Sequence, residues 1–381
     1  MSPSANRARI VLAAGGTGGH MFPAEALAGE LSSRGFAIDL ITDRRGQGFG
    51  DRMRQVAIHR ISAGGLSGGG LVRRARSVAR LGVGFFQARN LLSRLAPAVA
   101  VGFGGYASVP TMLAASFAGI PTIVHEQNAI LGRANRMLAR RMTRIAASFA
   151  EMPGQLAGGK FVVTGNPVRP AIAAVGDVPY VAPTPDGFRL LITGGSQGAR
   201  AFSRLVPSAV ALLPAELRQR LAIAQQCRAE DIEAARAIFG SLNMPVELSP
   251  FFTDMTERLR LAHLVICRSG ASTVAELGAA GRPAILIPYP HATDDHQTAN
   301  ARAIEAAGAA WLMAETATTP ALLAARLAAL MNDPVELSRA AARALSIGRR
   351  DAAARLADLV QSLAPGNGLH HPNDAIDREA A

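Results

Sequence analysis

Cysteine, lysine and aromatic side chains are all scarce in this chain of 381 residues. Its two cysteines, Cys227 and Cys267, lie far apart, and neither has a second Cys or a His at the spacing of a zinc site. A disulfide framework and a common zinc motif are thereby excluded, and we expect reduced thiols in a cytoplasmic setting. Aromatic residues make up only 5% of the chain. Because stacking aromatics interleaved with arginines are missing, we predict no nucleic-acid partner.

Long hydrophobic runs are also scarce. The apolar segment that precedes the first glycine pair, residues 10–14, is too short for the core of a secretory signal. Residues 95–124 carry no charge over 30 positions, but this stretch contains three prolines and four glycines. These residues divide it into a strand (98–101), a turn, a helix from about Ser108 and a second strand (122–124). We therefore expect no membrane-spanning helix there.

Acidic residues are few in the first half of the chain. Residues 1–165 hold 20 basic and 7 acidic side chains, for a net charge of +13, whereas residues 166–381 hold 20 and 21, for a net charge of −1. Within the first half, residues 71–95 mix leucine, valine, Phe85 and Phe86 with six arginines. An amphipathic basic helix of this kind can rest on anionic lipid, although ordinary packing against the fold is the alternative. We predict a peripheral contact with an anionic membrane surface.

Short apolar runs that end in glycine or a polar residue alternate with helical stretches along the whole chain. The first series is RIVLAAGG, FAIDLITD, AVAVGFGG and PTIVHE, and the second is RLLITGG, HLVICRSG and PAILIPYP. This alternation predicts parallel sheets with right-handed crossovers. The series restarts at Arg189 after a proline-rich segment, residues 165–187, which is typical of an interdomain linker. The sequence thus predicts an α/β protein of two domains, with a final helical segment from Pro334 to Leu363 and a disordered tail over residues 364–381.

The first glycine-rich turn, AGGTGGH, follows a strand and opens a helix. Its glycines allow backbone amides and the helix N-terminus to approach an anion. A dinucleotide fingerprint is the alternative, but its third glycine position falls on Met21 or Pro23, although Asp43 could still bind a ribose. His20 ends the turn and is a candidate general base because its pKa is ordinarily near neutral, with helix capping as the alternative.

The second glycine-rich turn, TGGSQGAR over residues 193–200, has the same context at the start of the second half. Its amides and the Ser196 hydroxyl are candidates for holding a diphosphate. Each turn alone is weak evidence. Two turns at equivalent places in consecutive α/β domains are stronger, because a dinucleotide enzyme needs only one.

Further polar clusters follow later strands. CRSGASTVAE places Glu276 inside a helix, where its carboxylate could accept both hydroxyls of a ribose or remain simply exposed. PYPHATDDHQTAN gathers Asp294, Asp295, His296 and Gln297 at another helix start, which suits sugar hydroxyls but also a solvated cap. GFGGYAS and HEQNAILGRAN, in the first domain, follow strands at the edge where open α/β sheets bind ligands. We expect the helix after HEQN to carry Arg133, Arg136, Arg140, Arg141 and Arg144.

Taken in order, these motifs resemble the peptidoglycan glycosyltransferases that convert lipid I to lipid II, which are members of the GT-B glycosyltransferases. The resemblance runs from about Arg9 to Leu363 and includes AGGTGGHMFPA, GFGGYAS, HEQNAILGRAN, GNPVRP, TGGSQGAR, CRSGASTVAE and HQTANA. It implies two Rossmann-like, doubly wound parallel-sheet domains with a cleft between them. Residues 1–165, joined by a C-terminal helix at about 340–363, form the acceptor and membrane domain, and residues 166–339 bind UDP-N-acetylglucosamine.

The resemblance also implies contacts to the donor. Residues of the first turn close over it, Phe252 presents its backbone to the uracil, Ser196 approaches the diphosphate, residues 271–276 hold ribose and phosphate, and Gln297 meets the sugar. The full set implied to bind the donor is Thr17, Gly18, Gly19, Asn128, Arg169, Ser196, Phe252, Ala271, Ser272, Thr273, Glu276 and Gln297. This chain departs from the family at residues 224–227, where members often have a histidine and a small polar turn. Its DDHQ segment is also one residue longer than in some members.

The expected reaction is a single inverting displacement, in which the 4-hydroxyl of the N-acetylmuramic acid of lipid I attacks the anomeric carbon while UDP departs. Helix dipoles and amides aimed at the diphosphate would stabilise the leaving group. We expect no metal ion and no cofactor, since no D-x-D motif follows an apolar strand. His20 is the preferred base, with Glu126 or Tyr106 as alternatives. A UDP-N-acetylglucosamine 2-epimerase shares this type of fold but would not need a basic, apolar patch.

Overall fold

The computed structural model describes residues 7–15, 18–43, 56–64, 71–152, 159–195 and 200–364. Within them lies a first sheet of seven strands, all parallel, in the order β3-β2-β1-β4-β5-β6-β7. Its strands are β1 (Arg9–Ala13), β2 (Ala37–Thr42), β3 (Ala57–Arg60), β4 (Val99–Gly102), β5 (Thr122–Glu126), β6 (Arg144–Ala147) and β7 (Phe161–Val163). The order reverses direction at β1, so loops after β1 and β4 diverge and leave a crevice at that edge.

The second sheet has six described strands, again all parallel, in the order β10-β9-β8-β11-β12-β13. They are β8 (Phe188–Thr193), β9 (Leu221–Gln226), β10 (Val246–Ser249), β11 (Leu264–Cys267), β12 (Ala284–Leu286) and β13 (Ala310–Leu312). Here the order reverses at β8, the strand that precedes the second glycine-rich turn. The prediction of two Rossmann-like lobes is confirmed, and in each lobe the strand that precedes the glycine-rich turn lies at the switch point.

Helices connect the strands and cover both faces of each sheet. The first lobe contains α1 (Gly18–Ser33), α2 (Leu71–Leu95), α3 (Ser108–Phe117) and α4 (Arg133–Leu138). The segment between the lobes and the second lobe contain α5 (Pro170–Ala173), α6 (Phe202–Ala211), α7 (Ala215–Gln219), α8 (Ile232–Ser241), α9 (Met255–Leu261), α10 (Ala271–Ala280), α11 (His296–Ala306), α12 (Pro320–Met331), α13 (Pro334–Ile347) and α14 (Ala352–Leu363). Short 3₁₀ helices lie at Ala174–Asp177, Ala229–Asp231 and Thr293–Asp295.

The central strands direct apolar side chains toward both faces because both faces of each sheet are covered by helices. Ile10 and Leu12 of β1 pack in the cluster that contains residues of α1 and α14, whereas Val11 and Ala13 pack in the cluster with α2 and α3. The second lobe repeats this division between a cluster with α6 and α12 and a cluster with α9 and α10. Continuous rather than alternating hydrophobic strands are the expected signature of a buried parallel sheet.

The C-terminal region crosses from one lobe to the other. Helix α13 packs on α10 and α12 of the second lobe, and α14 packs on α1 and β4 of the first lobe. The predicted helical segment from Pro334 to Leu363 is therefore two helices. At the break, a Cβ on Gly348 would lie 2.3 Å from the carbonyl oxygen of Gly278, so a glycine lets the chain pass directly over α10 as it returns to the first lobe.

Two further expectations bear on the first lobe. The charge-free stretch of residues 95–124 forms β4, α3 and the start of β5, and no described helix is long and apolar enough to cross a membrane. The helix after HEQN is shorter than expected, because it ends at Leu138. Arg140 and Arg141 lie in the turn that follows, and Arg144 begins β6, whose pairing with β5 takes this segment out of the helix.

Candidate functional site

A cavity of about 1070 Å³ lies between the lobes, at the carboxyl ends of the strands of both sheets. Thr17 and Ser196 lie outside the described residues. Every other predicted site residue lines this cavity: Gly18, Gly19, His20, Tyr106, Glu126, Asn128, Arg169, Phe252, Ala271, Ser272, Thr273, Glu276 and Gln297. Residues separated by more than two hundred positions in the sequence thus meet in one cleft, and their individual roles remain predictions.

Two helix N-termini meet across this cleft. Helix α1 begins at Gly18, helix α10 begins at Ala271, and the Ser272 hydroxyl donates to the Gly19 carbonyl at 3.4 Å. The residue before α10 is Gly270, which provides no side-chain cap. The first amides of a helix have no partner within it and carry a partial positive charge. The convergence of two such ends provides a place for an anionic group such as a diphosphate.

His20 sits at the first-lobe side of the cleft, held by a short chain of neutral hydrogen bonds. The Gln127 amide nitrogen donates to the Phe103 carbonyl at 2.7 Å, so its amide oxygen faces His20 Nδ1 at 2.9 Å and can only accept. Nδ1 therefore carries the proton, and the lone pair lies on Nε2. Burial lowers the pKa of His20, partly offset by the hydrogen bond to Gln127 and the charge of Glu126. The imidazole is thus neutral at physiological pH and able to accept a proton.

A second histidine lies directly behind the site. His125 is fully buried on β5, and its Nε2 donates to the Gly165 carbonyl at 2.9 Å. Burial lowers the pKa of His125 to about 4, with a smaller contribution from the neighbouring His20. His125 is therefore a neutral hydrogen-bond donor that ties β5 to the segment between the lobes.

The carboxylate of Glu126 is surrounded by N–H donors. Its Oε1 accepts from the amide and side chain of Asn128 at 3.0 and 3.2 Å, and its Oε2 accepts from the Gly132 amide at 2.9 Å and the Asn135 side chain at 2.8 Å. These bonds fold the HEQNAILGRAN loop around the carboxylate. The geometry favours a structural role for Glu126 over that of a base, because its lone pairs already have partners. Tyr106 lines the same cavity, within reach of the charge of Arg133.

Asn300 joins the two lobes at the floor of the cleft. This buried residue of α11 accepts from the Ala129 amide at 2.8 Å and donates to Asn128 at 3.1 Å and to the Ser269 carbonyl at 3.0 Å. It therefore fixes the side chain of Asn128, a predicted donor contact, from the opposite lobe. At the mouth of the cleft, Arg133 and Asp294 form a second link with contacts of 2.6 to 3.1 Å.

Arg169 and Glu276 form an ion pair on the second-lobe side. Nε and a terminal nitrogen of Arg169 both contact Oε1 of Glu276, at 3.1 and 2.9 Å. Arg169 also lies over the Phe22 ring of α1, 5.2 Å from its centroid. Burial raises the pKa of Glu276 and the adjacent Arg169 opposes this rise. Because both contacts use one oxygen, Oε2 remains available to accept from a ligand hydroxyl.

The loop after β10 forms the far wall of the second-lobe side. Phe252 is buried there, with the Arg258 guanidinium 3.9 Å above its ring, while Phe251 is exposed. Gln226, at the end of β9, accepts from the Thr193 hydroxyl at 2.9 Å and the Gly194 amide at 3.2 Å, and donates to the Pro250 carbonyl at 3.1 Å.

Gln297 is held at the start of α11. Its side-chain oxygen accepts from the Tyr289 amide at 2.9 Å, and its carbonyl accepts from the Ser269 hydroxyl at 2.8 Å. The neighbouring His296 donates from Nδ1 to the Thr293 carbonyl at 2.7 Å, and both His296 and Gln297 line the cavity. No group of three or more metal-ligating side chains was found among the described residues.

Three residues of the site were not singled out from the sequence. Gln127, Asn300 and Gln226 each lie inside or beside a motif that the sequence analysis quoted. Amides give no titratable or metal-binding signal, so only their partners in space distinguish them from ordinary polar residues.

The first lobe also presents an apolar and basic surface outside the cleft. Helix α2 exposes Val78, Val83 and Phe86, and the exposed Phe117 of α3 packs edge-on against Phe85 at 5.9 Å. Exposed arginines border these side chains: Arg76, Arg80, Arg89 and Arg94 on α2, and Arg141, whose guanidinium lies 4.8 Å from the Phe117 ring centroid.

Comparison with known families matches both lobes. The model of the glycosyltransferase family 28 N-terminal domain matches residues 10–147, and that of the family 28 C-terminal domain matches residues 189–358.

Relatives and solved structures agree with this match. A UDP-N-acetylglucosamine–N-acetylmuramyl-(pentapeptide) pyrophosphoryl-undecaprenol N-acetylglucosamine transferase of Rhodospirillum centenum is 57% identical, covering 97% of this chain and 98% of its own length. A protein of the same name from Rhodospirillum rubrum is 58% identical, covering 93% and 92%. The crystal structure of Acinetobacter baumannii MurG superposes with a TM-score of 0.77 at 30% identity, covering 93% of this chain and 99% of that one.

Proposed function

The chain belongs to glycosyltransferase family 28, and we propose that it transfers N-acetylglucosamine from UDP-N-acetylglucosamine to the 4-hydroxyl of the lipid-linked N-acetylmuramyl-pentapeptide, forming lipid II. The observation that carries this proposal is the interlobe cavity, which brings together the neutral imidazole of His20, the converging N-termini of α1 and α10 from the two lobes, and the Arg169–Glu276 pair.

The geometry supports a direct, inverting displacement. Nε2 of His20 takes the proton of the attacking hydroxyl, while the bond between the anomeric carbon and the β-phosphate oxygen breaks and UDP leaves with the electron pair. The N-termini of α1 and α10 point at the charge that develops on the departing diphosphate. Because these dipoles are already oriented, they stabilise the transition state without reorganisation.

The second lobe holds the nucleotide in this proposal. The loop with Phe252 meets the uracil through its backbone, and Oε2 of Glu276 accepts from a ribose hydroxyl. Gln297 and Asn128 approach the sugar from opposite lobes, with Asn128 fixed by Asn300. Donor binding therefore depends on the lobes being brought together, which keeps water away from the anomeric carbon.

The acceptor is assigned to the first lobe, for which we propose residues 1–165 together with the returning C-terminal helix. The acceptor carries a lipid tail that stays in the membrane, so the enzyme must work at the membrane surface. The exposed valines and phenylalanine of α2, bordered by arginines, suit contact with an anionic cytoplasmic leaflet. The protein is thus a peripheral enzyme of the cytoplasmic face of the cell membrane.

The deciding experiment supplies labelled UDP-N-acetylglucosamine and lipid I in detergent, with and without a chelator. We expect label to move onto the lipid at the same rate in both conditions. Isomerisation of the donor in the absence of lipid would instead indicate an epimerase, and loss of transfer with chelator would contradict the metal-free mechanism.

A further inference from the structure

The amide of Gln226 connects two segments of the donor side that are far apart in the sequence. Its oxygen accepts from Thr193 and Gly194, at the start of the second glycine-rich turn, and its nitrogen donates to the carbonyl of Pro250. Pro250 directly precedes Phe251 and Phe252. Gln226 is buried, yet it lines the cavity between the two segments.

The orientation of this amide is determined by its partners. The Gly194 amide can only donate to one end and the Pro250 carbonyl can only accept at the other, so a flipped amide would lose both of these bonds. The Thr193 hydroxyl in turn accepts from the Gly195 amide at 3.3 Å. Gln226 therefore fixes the first two amides of the turn as well as the loop opposite.

The Pro250 side of the link continues toward the aromatic residues. The Cys227 amide donates to the Ser249 carbonyl at 3.0 Å, and the Ser249 hydroxyl donates to the Phe251 carbonyl at 2.8 Å. The loop is thus held at both its start and its tip, and the side chain of Gln226 links it to the described start of the glycine-rich turn.

We propose that Gln226 is a positioning residue that fixes the distance between the second glycine-rich turn, which holds the diphosphate, and the loop after β10, which holds the base. This distance makes the site selective for nucleoside diphosphates in which base and diphosphate are separated by the same length. This inference rests on the proposed donor. A nucleotide must contact both segments at once, so loosening either one weakens binding of the intact donor. The Gln226 amide has no hydrogen bond to His20, the residue at the reacting end of the site.

The neighbouring residue provides a matched control. Gln225 is also a buried glutamine of β9, but its side chain points to the other face of the sheet and donates to the Phe202 carbonyl at 3.0 Å. It does not line the described cavity. Replacing each glutamine by methionine removes the hydrogen bonds of a buried amide while nearly conserving volume.

The experiment compares Gln226→Met and Gln225→Met by transfer kinetics, by calorimetric titration with UDP alone and by thermal unfolding. For Gln226→Met we expect the KM for UDP-N-acetylglucosamine and the Kd for UDP to rise about tenfold or more, as for the loss of two or three hydrogen bonds, with kcat at saturating donor nearly unchanged. Gln225→Met should lower the melting temperature without changing KM.

Three outcomes would overturn the proposal: an unchanged KM and Kd in Gln226→Met, an equal rise in both variants, or a loss confined to kcat. If Gln226→Met does not fold, Thr193→Val removes the hydroxyl from the same link, and a folded Thr193→Val protein with normal KM would overturn it equally. Failure of the unaltered enzyme to bind UDP would reject the proposed donor instead, so the two failures are distinguishable.

Discussion

The two lobes share an architecture but stabilise their polar groups at the cleft in different ways. Around its two histidines the first lobe uses neutral hydrogen bonds: His20 donates to Gln127, Gln127 donates to a carbonyl, and the buried His125 donates to another. The second-lobe side uses charge, with Arg169 on Glu276 and Arg268 on Glu315. An imidazole base must stay uncharged until it receives a proton, whereas a site for an anionic nucleotide needs fixed donors and paired charges.

The charge distribution outside the cleft follows the same division. In the first lobe basic residues far outnumber acidic ones, since residues 1–165 contain 20 basic and only 7 acidic side chains. In the second lobe, arginine and acid often pair at the surface, as in the contacts of Arg258 with Glu247 and Asp254. Of the two parts of the chain, only residues 1–165 therefore carry a net positive charge, which favours an anionic partner surface.

The largest expected effect concerns the neutral base. His20→Ala should lower kcat ~10²-fold or more, because no general base remains to accept the proton of the acceptor hydroxyl. Burial lowers the pKa of His20, so the imidazole of the unaltered enzyme is neutral above its ordinary pKa of 6.5, and kcat should decline only on the acid side of that value. This acid limb should disappear in the variant. Rates are measured at saturating donor and acceptor across pH 5 to 8.

The control for this prediction is His59→Gln, since His59 lies on β3, outside the described cavity lining, and a glutamine can still reach Asp39. Its kcat should match that of the unaltered enzyme. A normal kcat in His20→Ala would show that the His20 imidazole is not the base and would favour Tyr106 in that role.

The buried His125 should make the first lobe acid-sensitive. Its pKa is about 4 in the folded protein and near 6.5 in the unfolded chain, so the unfolded state binds more protons between these values. The contribution to stability is complete above pH 6.5 and is lost as the pH falls toward 4, by up to about 3 kcal/mol. His125→Gln keeps a donor for the Gly165 carbonyl but does not titrate, so its free energy of unfolding should depend less on pH.

Urea unfolding at pH 7 and pH 4.5 measures this difference, and His291→Gln is the control because His291 is exposed in the second lobe. The same pH dependence in His125→Gln as in the unaltered protein would show that acid acts elsewhere.

The third prediction tests the contrast in surface charge. Arg76→Gln combined with Arg80→Gln should weaken binding to phosphatidylglycerol vesicles about 30-fold, since each basic residue near an anionic surface contributes about 1 kcal/mol. The matched second-lobe pair, Arg326→Gln with Arg343→Gln, should have little effect. Co-sedimentation with vesicles at low salt provides the measurement, and equal losses in both double variants would mean that total charge, not the α2 surface, drives binding.

The smallest expected effect lies at the ion pair. Glu276→Gln should raise the KM for the donor about tenfold with little change in kcat, because in the proposed donor site it replaces a charge-assisted hydrogen bond to the ribose with a neutral one and leaves Arg169 without its carboxylate. Glu233→Gln, an exposed change on α8, is the control. A KM equal to that of the unaltered enzyme would place the ribose elsewhere and weaken the contrast between the lobes.

Much of the fold was predictable because its signals are local. Strands β1, β4, β5, β8, β11 and β12 coincide with apolar runs, and α1 opens within the glycine-rich turn as expected. The errors arose where local signals ended. The arginine-rich stretch after HEQN continues a helical pattern past Leu138, but pairing of Arg144–Ala147 with β5 overrides it. Similarly, α13 and α14 are separated by Gly348 because the chain must cross between lobes.

The sequence by itself predicted many of the residues that line the cleft, since the carboxyl end of a parallel strand is marked by the glycine or polar residue that ends each apolar run. Only the tertiary structure decided how they work there. The proton position on His20 depends on Gln127, 107 residues away, and the fixed side chain of Asn128 depends on Asn300, 172 residues away. Hydrogen bonds act over about 3 Å, so partners this distant along the chain are chosen by the packing of two lobes and leave no trace in local sequence.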